Sequence, residues 1–294
     1  MTTPQRYITL NNGVEMPALG LGVYQSAPEE TANAVANALN GGYRLIDTAA
    51  AYFNEREVGA GIARADVDRS EIFVETKLWL TDYGYDSALR AFDVSLRKLG
   101  IEQLDLWLLH QPLASDFEKT IASYKAAEKL LAEGRVRAIG VSNQTPAELD
   151  ELISRTDVVP AVNQIQVHPY YTQPEWRAAN DRYGILTQSW SPIGGSYIYG
   201  TADTNPLEDP VIIAIAKTYS KTPAQVILRW HLDHGYSAIP KSVKESRIAE
   251  NFDVFDFALT PSELSAIDAL DTGVRGGPDP DSLNLEEHGF VIPD

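Results

Sequence analysis

Asp47, Tyr52, Lys77 and His110 place an acid, a phenol, an amine and an imidazole in the first part of a 294-residue chain. All four side chains hold, give or accept protons. Asp47, Lys77 and His110 each end a short apolar segment: Arg44–Asp47, Ile72–Lys77 and Leu104–His110. Tyr52 follows just beyond the first of these. Taken singly, each residue has a plain reading. A strand-end aspartate caps the next helix, a tyrosine packs, a lysine snorkels to solvent and a histidine is a satisfied donor. Taken together at equivalent strand ends, they point at one space. The chain has no cysteine, which excludes thiol nucleophiles, disulfides, zinc thiolate sites and iron–sulfur clusters. His110, His168, His231, His234 and His288 do not gather into a metal site, so no bound metal is expected.

The elements that must position these residues are legible in outline. Further buried strands are expected at Arg137–Ser142, Val162–Gln166, Ile185–Ser189 and Ser237–Pro240, with a first one near Pro17–Gly20. Most are apolar and end in a polar residue, as parallel strands do when helices cover their outer face. Helices lie between them. Thr145-Pro-Ala-Glu148, Thr222-Pro-Ala-Gln225 and Thr260-Pro-Ser-Glu263 share one start: a hydroxyl N-cap, proline at N1 and an acid or amide at N3. Ser26 with Glu29, and Asn54 with Glu57, are expected to form similar boxes. Gly100 and Gly134 are expected to end helices. Eight βα units in one domain predict a (β/α)8 TIM barrel, with its active site at the C-terminal strand ends. The rival is an open doubly wound sheet, but Gly20-Leu-Gly22 lacks the third glycine of its phosphate turn. Residues 7–16 read as an N-terminal β-hairpin plugging the barrel bottom. The extension 271–294 lacks periodicity and reads either as a loose end or as a cover over the mouth.

Composition bounds the partners. The net charge is −17, from 24 basic and 41 acidic residues. Nucleic acid and anionic membranes would be repelled, although a local basic pocket could still take a phosphate. No apolar run is long enough to span a bilayer, and the N-terminus does not read as a signal peptide. The cytoplasm is the expected compartment.

The strings Arg44-Leu-Ile-Asp-Thr-Ala-Ala-Ala-Tyr52, Thr76-Lys-Leu-Trp79, Asp105-Leu-Trp-Leu-Leu-His110, Gly140-Val-Ser-Asn143, Asn163-Gln-Ile-Gln-Val-His-Pro-Tyr170, Ser191-Pro192 and Ile239-Pro-Lys-Ser242 carry a resemblance. In this order and spacing, the chain resembles an aldo-keto reductase from about Thr9 to Ala269. It looks close to the bacterial branch that contains 2,5-diketo-D-gluconic acid reductases. The resemblance implies reduction of a small aldehyde or ketone with NADPH, and the reverse oxidation with NADP+. It implies Tyr52 as proton donor, Lys77 as the ammonium that stabilises the phenolate, Asp47 as the partner of Lys77, and His110 as the group that orients the carbonyl oxygen and helps relay the proton. Each pKa unit of phenolate stabilisation is worth about 1.4 kcal/mol.

It further implies that Ser142, Asn143 and Gln164 hold the nicotinamide carboxamide and that Trp190 lies under the ring. Ser191 begins the turn along the pyrophosphate. Lys241, Ser242, Val243 and Arg247 meet the 2′-phosphate, with Glu250 and Asn251 near the adenine. Tyr24, Trp79, His110 and Gln111 are the expected substrate contacts. Gln111 stands where relatives commonly have tryptophan, which implies a more polar or roomier pocket. The loop Ser196–Leu207, with Tyr197 and Tyr199, is a further candidate for shaping specificity. The enzyme is expected to act as a monomer without an obligatory protein partner. The alternative is a catalytically weak subunit that senses nicotinamide nucleotide. A metal-dependent barrel hydrolase lacks a ligand cluster.

Overall fold

Short apolar strands with both faces covered need neighbours on both edges, and closing the sheet on itself provides them. In the computed structural model, which describes residues 5–195, 205–277, 279–280, 283 and 285–293, the chain does this. A hairpin of β1 (Tyr7–Thr9) and β2 (Glu15–Pro17) comes first. Eight parallel strands follow: β3 (Leu21–Gly22), β4 (Leu45–Asp47), β5 (Phe73–Leu78), β6 (Leu104–Leu109), β7 (Val136–Ser142), β8 (Val162–Gln166), β9 (Leu186–Trp190) and β10 (Ser237–Ala238). They pair in sequence order from β3 to β10. The seam closes through bridges Leu19 to Ala238 and Gly22 to Lys241. Gly20 and Gly22 make that seam possible. A Cβ on Gly22 would lie 2.8 Å from the Ile239 carbonyl oxygen, and one on Gly20 would lie 2.5 Å from Leu45 Cγ. The Gly-x-Gly pair thus serves barrel closure, and the open-sheet rival falls away.

Helices alternate with the strands, and the long gap before β10 is filled by two of them, Pro210–Tyr219 and Pro223–Asp233. The three Thr-Pro-x-Glu/Gln starts all form complete capping boxes. Two other expected boxes do not form. Pro28 fixes the first helical position, so Ala27 becomes the N-cap and Ser26 lies outside the helix. Asn54 does precede its helix, but its side chain is drawn away to Thr48 and Val23. The first barrel strand lies at Leu21–Gly22, later than the expected Pro17–Gly20, because Pro17 belongs to the hairpin.

The hairpin seals the bottom as expected. Leu10 and Met16 join Leu45, Phe73, Leu106, Leu108 and Val162 in one apolar cluster. Asn11 and Asn12 donate to the Pro160 and Arg137 carbonyls at the other strands' entry ends. The described part of the C-terminal extension covers the mouth. Gly277 N donates to Gln166 Oε1 at 3.0 Å, and Trp79 Nε1 donates to the His288 carbonyl at 3.1 Å.

His231 pins the upper end of β9. Its Nε2–H donates to the Pro192 carbonyl at 3.0 Å, and its Nδ1 accepts from Ser189 Oγ at 3.1 Å. Burial pushes this imidazole down to about 3, whereas an unfolded histidine titrates near 6.5. The unfolded state therefore binds the extra proton, and stability is lost as pH falls from about 6.5 toward 3. Urea unfolding between about pH 6 and 4 should show a slope shallower by roughly 1.4 kcal/mol per pH unit in His231→Gln than in the parent chain.

Candidate active site

Lys77 is the centre of the barrel mouth. Strand alternation turns it inward from β5, and its side chain is fully buried. An ammonium there needs a counter-ion. Asp47, ending β4, supplies one at 2.5 Å. The Thr48 carbonyl accepts a second bond from Lys77 Nζ at 2.9 Å, and the Tyr52 hydroxyl lies 3.4 Å away. The acid, the amine and the phenol expected from sequence therefore meet in space.

Tyr52 is held by a short braced loop. It ends the turn Ala50–Tyr52, which Phe53 closes with φ of 58°. Below it, Asn54 accepts from Thr48 Oγ1 at 2.8 Å and donates to the Val23 carbonyl at 2.9 Å. One buried amide thus ties together the loops that carry Tyr24 and Tyr52. Those two rings meet edge-on at 5.0 Å.

His110 faces Tyr52 at 5.5 Å between ring centroids and Trp79 at 5.1 Å. Burial foremost, and then the charge of Lys77, hold its pKa well below the usual histidine range. It is a neutral imidazole at pH 7. Its Nδ1 is buried without a hydrogen-bond partner.

Asp47, Tyr52 and His110 line a cleft of about 370 Å³ together with Tyr24, Gln111, Ser142, Asn143, Gln164 and Trp190 and with Lys241–Lys244 and Arg247. The polar group is already ordered. Gln164 Nε2 donates to Asp47 Oδ1 at 2.9 Å and to Gln188 Oε1 at 2.8 Å, which leaves its own carbonyl oxygen for a ligand. Trp190 Nε1 donates to Asn143 Oδ1 at 2.9 Å, and Asn143 Nδ2 donates to Ser142 Oγ at 3.0 Å. Asn143 (φ 60°) and Ser191 (φ 48°) both adopt the left-handed conformation that non-glycine residues usually avoid. Among the described residues, Lys241, Lys244 and Arg247 make no ion pair with a carboxylate.

Some expected residues lie apart. Trp79 is under the tail, stacked on Phe290 at 5.0 Å, and is not part of the cleft wall. Glu250 and Asn251 are also outside the wall; Glu250 accepts from Thr222 Oγ1 at 2.9 Å. Tyr197 and Tyr199 fall outside the described residues. Sequence reading missed Lys244 and Ile239 as lining residues, together with Glu75 and Gln188 beneath Lys77. Inward alternation from Lys77 back to Glu75 was the available signal.

Removing one partner of a buried ion pair strands the other. Asp47→Ala should therefore cost roughly 3–5 kcal/mol in urea unfolding, and adding Lys77→Met should restore much of that loss.

The sequence profile described as the Aldo/keto reductase family matches residues 17–272. The chain is 57% identical over 290 residues to morphine 6-dehydrogenase of Pseudomonas putida, covering 97% of this chain and 98% of that protein. It is 44% identical to glyoxal reductase of Bacillus subtilis, over 94% of this chain and 96% of the other. A crystal structure of a Bombyx mori aldo-keto reductase in complex with NADP superposes with a TM-score of 0.88 at 33% identity, covering 98% of both chains. With the barrel, the buried ammonium and these relatives in agreement, the chain belongs to the aldo/keto reductase family.

Proposed function

We propose that this chain reduces the carbonyl group of a small aldehyde or ketone to an alcohol, with NADPH as cofactor. One observation carries the reading: the Tyr52 hydroxyl lies at the cleft, 3.4 Å from a buried ammonium that Asp47 holds at 2.5 Å.

The cleft fits a phosphorylated nicotinamide nucleotide. Its cationic end, Lys241, Lys244 and Arg247, stands out in a chain of net charge −17. With Ser242 and Val243, these residues would hold the 2′-phosphate. Charge-assisted bonds of this kind are each worth about 1.5–3 kcal/mol. Ser142, Asn143 and Gln164 would meet the carboxamide, with Trp190 against the ring and Ser191 toward the pyrophosphate. Glu250 and Asn251 would flank the adenine side. The Bombyx mori relative in complex with NADP supports this choice of cofactor.

When bound, NADPH supplies the hydride that reduces the carbonyl carbon. The chain manages the oxygen. Negative charge grows on that oxygen, and Tyr52 gives it the phenolic proton. Lys77 stabilises the phenolate left behind, in a setting dry enough to strengthen the attraction. Neutral His110 donates from Nε2 to the same oxygen and orients it. In the reverse direction the Tyr52 phenolate accepts the alcohol proton.

For the substrate we infer a polar carbonyl compound such as a keto-sugar or keto-acid, the 2,5-diketo-D-gluconate type included. Gln111 supports this, since its Oε1 is buried without a partner beside the cleft. The names morphine 6-dehydrogenase and glyoxal reductase attach very different substrates to relatives of this chain. The walls, not the proton-transfer residues, must then set the choice.

Two measurements test the reading. Tyr52→Phe should lower kcat at least about 100-fold in NADPH oxidation with a panel of small carbonyls, while nucleotide affinity stays put. Wild-type-like turnover in that variant would remove Tyr52 as proton donor. Lys241→Ala and Arg247→Ala should each weaken NADPH binding by about tenfold or more in fluorescence titration, with little change for NADH. Equal losses for both nucleotides would refute the 2′-phosphate assignment.

A further inference from the structure

The layer beneath the ammonium holds a second carboxyl that the reaction does not use. Glu75 precedes Lys77 by one strand period on β5, so both side chains face the barrel interior. It is fully buried. Its cross-strand partner on β4 is Asp47. Gln164 Nε2 lies 2.9 Å from Asp47 Oδ1 and 3.4 Å from Glu75 Oε1. From β9, Gln188 Nε2 donates to Glu75 Oε1 at 2.8 Å, and the same amide nitrogen is 3.5 Å from Ser237 Oγ of β10. Leu106 stands opposite on β6.

Two carboxyls therefore share a dry layer with one ammonium. If both were ionised, the layer would carry an uncompensated negative charge, which costs several kcal/mol in a protein interior. One carboxyl must keep its proton. Asp47 touches Lys77 directly and stays the anion. Among the described residues, no cation forms an ion pair with Glu75. Its Oε2 is buried with no donor facing it. A bare carboxylate oxygen there would be left unsatisfied, whereas a protonated Glu75 can hydrogen-bond to the neighbouring Asp47 side chain. The balance of forces agrees: burial first, then the charge of Asp47, raises the Glu75 pKa well above the carboxylate range, against the weaker pulls of Lys77 and Gln188.

We propose that Glu75 is a positioning residue kept as a neutral acid, whose Oε2–H donates to Asp47 and fixes that carboxylate against Lys77. An ionised Glu75 would compete for the ammonium and draw it down from Tyr52. The neutral acid lets Lys77 face upward, toward the phenol. The effect on turnover rests on the reductase reading above; the protonation state does not.

Infrared spectra of the full chain at pH 7, in water and in deuterium oxide, test the protonation directly. The parent should show a protonated carboxylic acid band that shifts on deuteration and disappears in Glu75→Gln. Glu55, also buried and raised in pKa mainly by burial, is common to both proteins and cancels in the difference. Loss of an ionised carboxylate band instead would overturn the proposal. Kinetics test the positioning. Glu75→Leu removes the donor to Asp47 and should lower kcat about tenfold or more with little change in KM for NADPH. Glu75→Gln keeps a donor toward Asp47 and an acceptor for Gln188, and should restore most of that loss. A Gln variant as slow as the Leu variant, although folded by circular dichroism, would show that the ionised carboxylate is what matters. A parent chain that reduces no carbonyl would sink the reductase reading alone, and the infrared result would still decide for or against a neutral Glu75.

Discussion

A lysine ammonium inside a closed β-barrel can persist only if the barrel is built around it. Lys77 sits fully buried, with Asp47 at 2.5 Å and the Thr48 carbonyl at 2.9 Å. Such a pair adds little to stability, since desolvation offsets the attraction. Its value lies in direction. Asp47 is gripped by Gln164, which reaches across the barrel from β8; Gln164 is bonded to Gln188 of β9, and Gln188 to Glu75 of β5. This polar girdle lies above an apolar floor of Leu45, Phe73 and Val162 that the hairpin seals with Leu10 and Met16. The floor keeps water away from below, so each charge at the mouth acts through a medium of low polarity.

The strands hold the buried charges, and the loops carry the aromatic rings above them. Lys77 and Asp47 lie on paired strands. Tyr52 lies on a loop, but one shortened to a single turn and tied to the neighbouring loop by Asn54. A cover beside the cleft comes from distant sequence. Phe290 stacks on Trp79 and approaches Phe53 at 5.6 Å, and Gly277 rests against the edge of Trp190. Changes in the tail therefore reach Trp79 and Trp190 without touching the ammonium.

Strand ends were legible because a buried parallel strand is a short apolar run that stops at a polar residue. Val162–Gln166 was read with its observed bounds, and Asp47, Lys77 and His110 were read at the mouth. The Thr-Pro starts were legible because a local motif is decided by local contacts. Asn54 was misread for the converse reason: its amide answers to Val23 and Thr48, a tertiary demand that outbids the helix end. The first barrel strand was set too early because residues 15–22 run almost continuously from hairpin into barrel, with no turn signal between them. Glu75 and Gln188 escaped notice because side-chain type suggests an exposed position. Only the inward period, counted from Lys77, places them inside. The tail gave no signal at all, since its partners, Gln166 and Trp79, lie 111 and 209 residues upstream and its own sequence has no period.

Barrel closure and the cationic end of the cleft are one piece of backbone. Gly22 N donates to the Pro240 carbonyl at 3.2 Å, and Gly22 bridges Lys241. The approach leaves no room for a side chain at Gly22, whose Cβ would meet the Ile239 carbonyl at 2.8 Å. A larger residue there would part the seam and carry Lys241 away with it, so the glycine governs both the shape of the barrel and the position of the charge. That local charge dominates its surroundings despite the −17 of the whole chain. Screening at physiological ionic strength confines exposed charges to about 8 Å, and acidic residues on remote helices are therefore scarcely felt inside the cleft. The surface can stay acidic while Lys241, Lys244 and Arg247 keep a local positive charge at the rim. A negative whole and a positive rim are compatible here because one is set by the sum of the charges and the other by the few that the closing strand holds together.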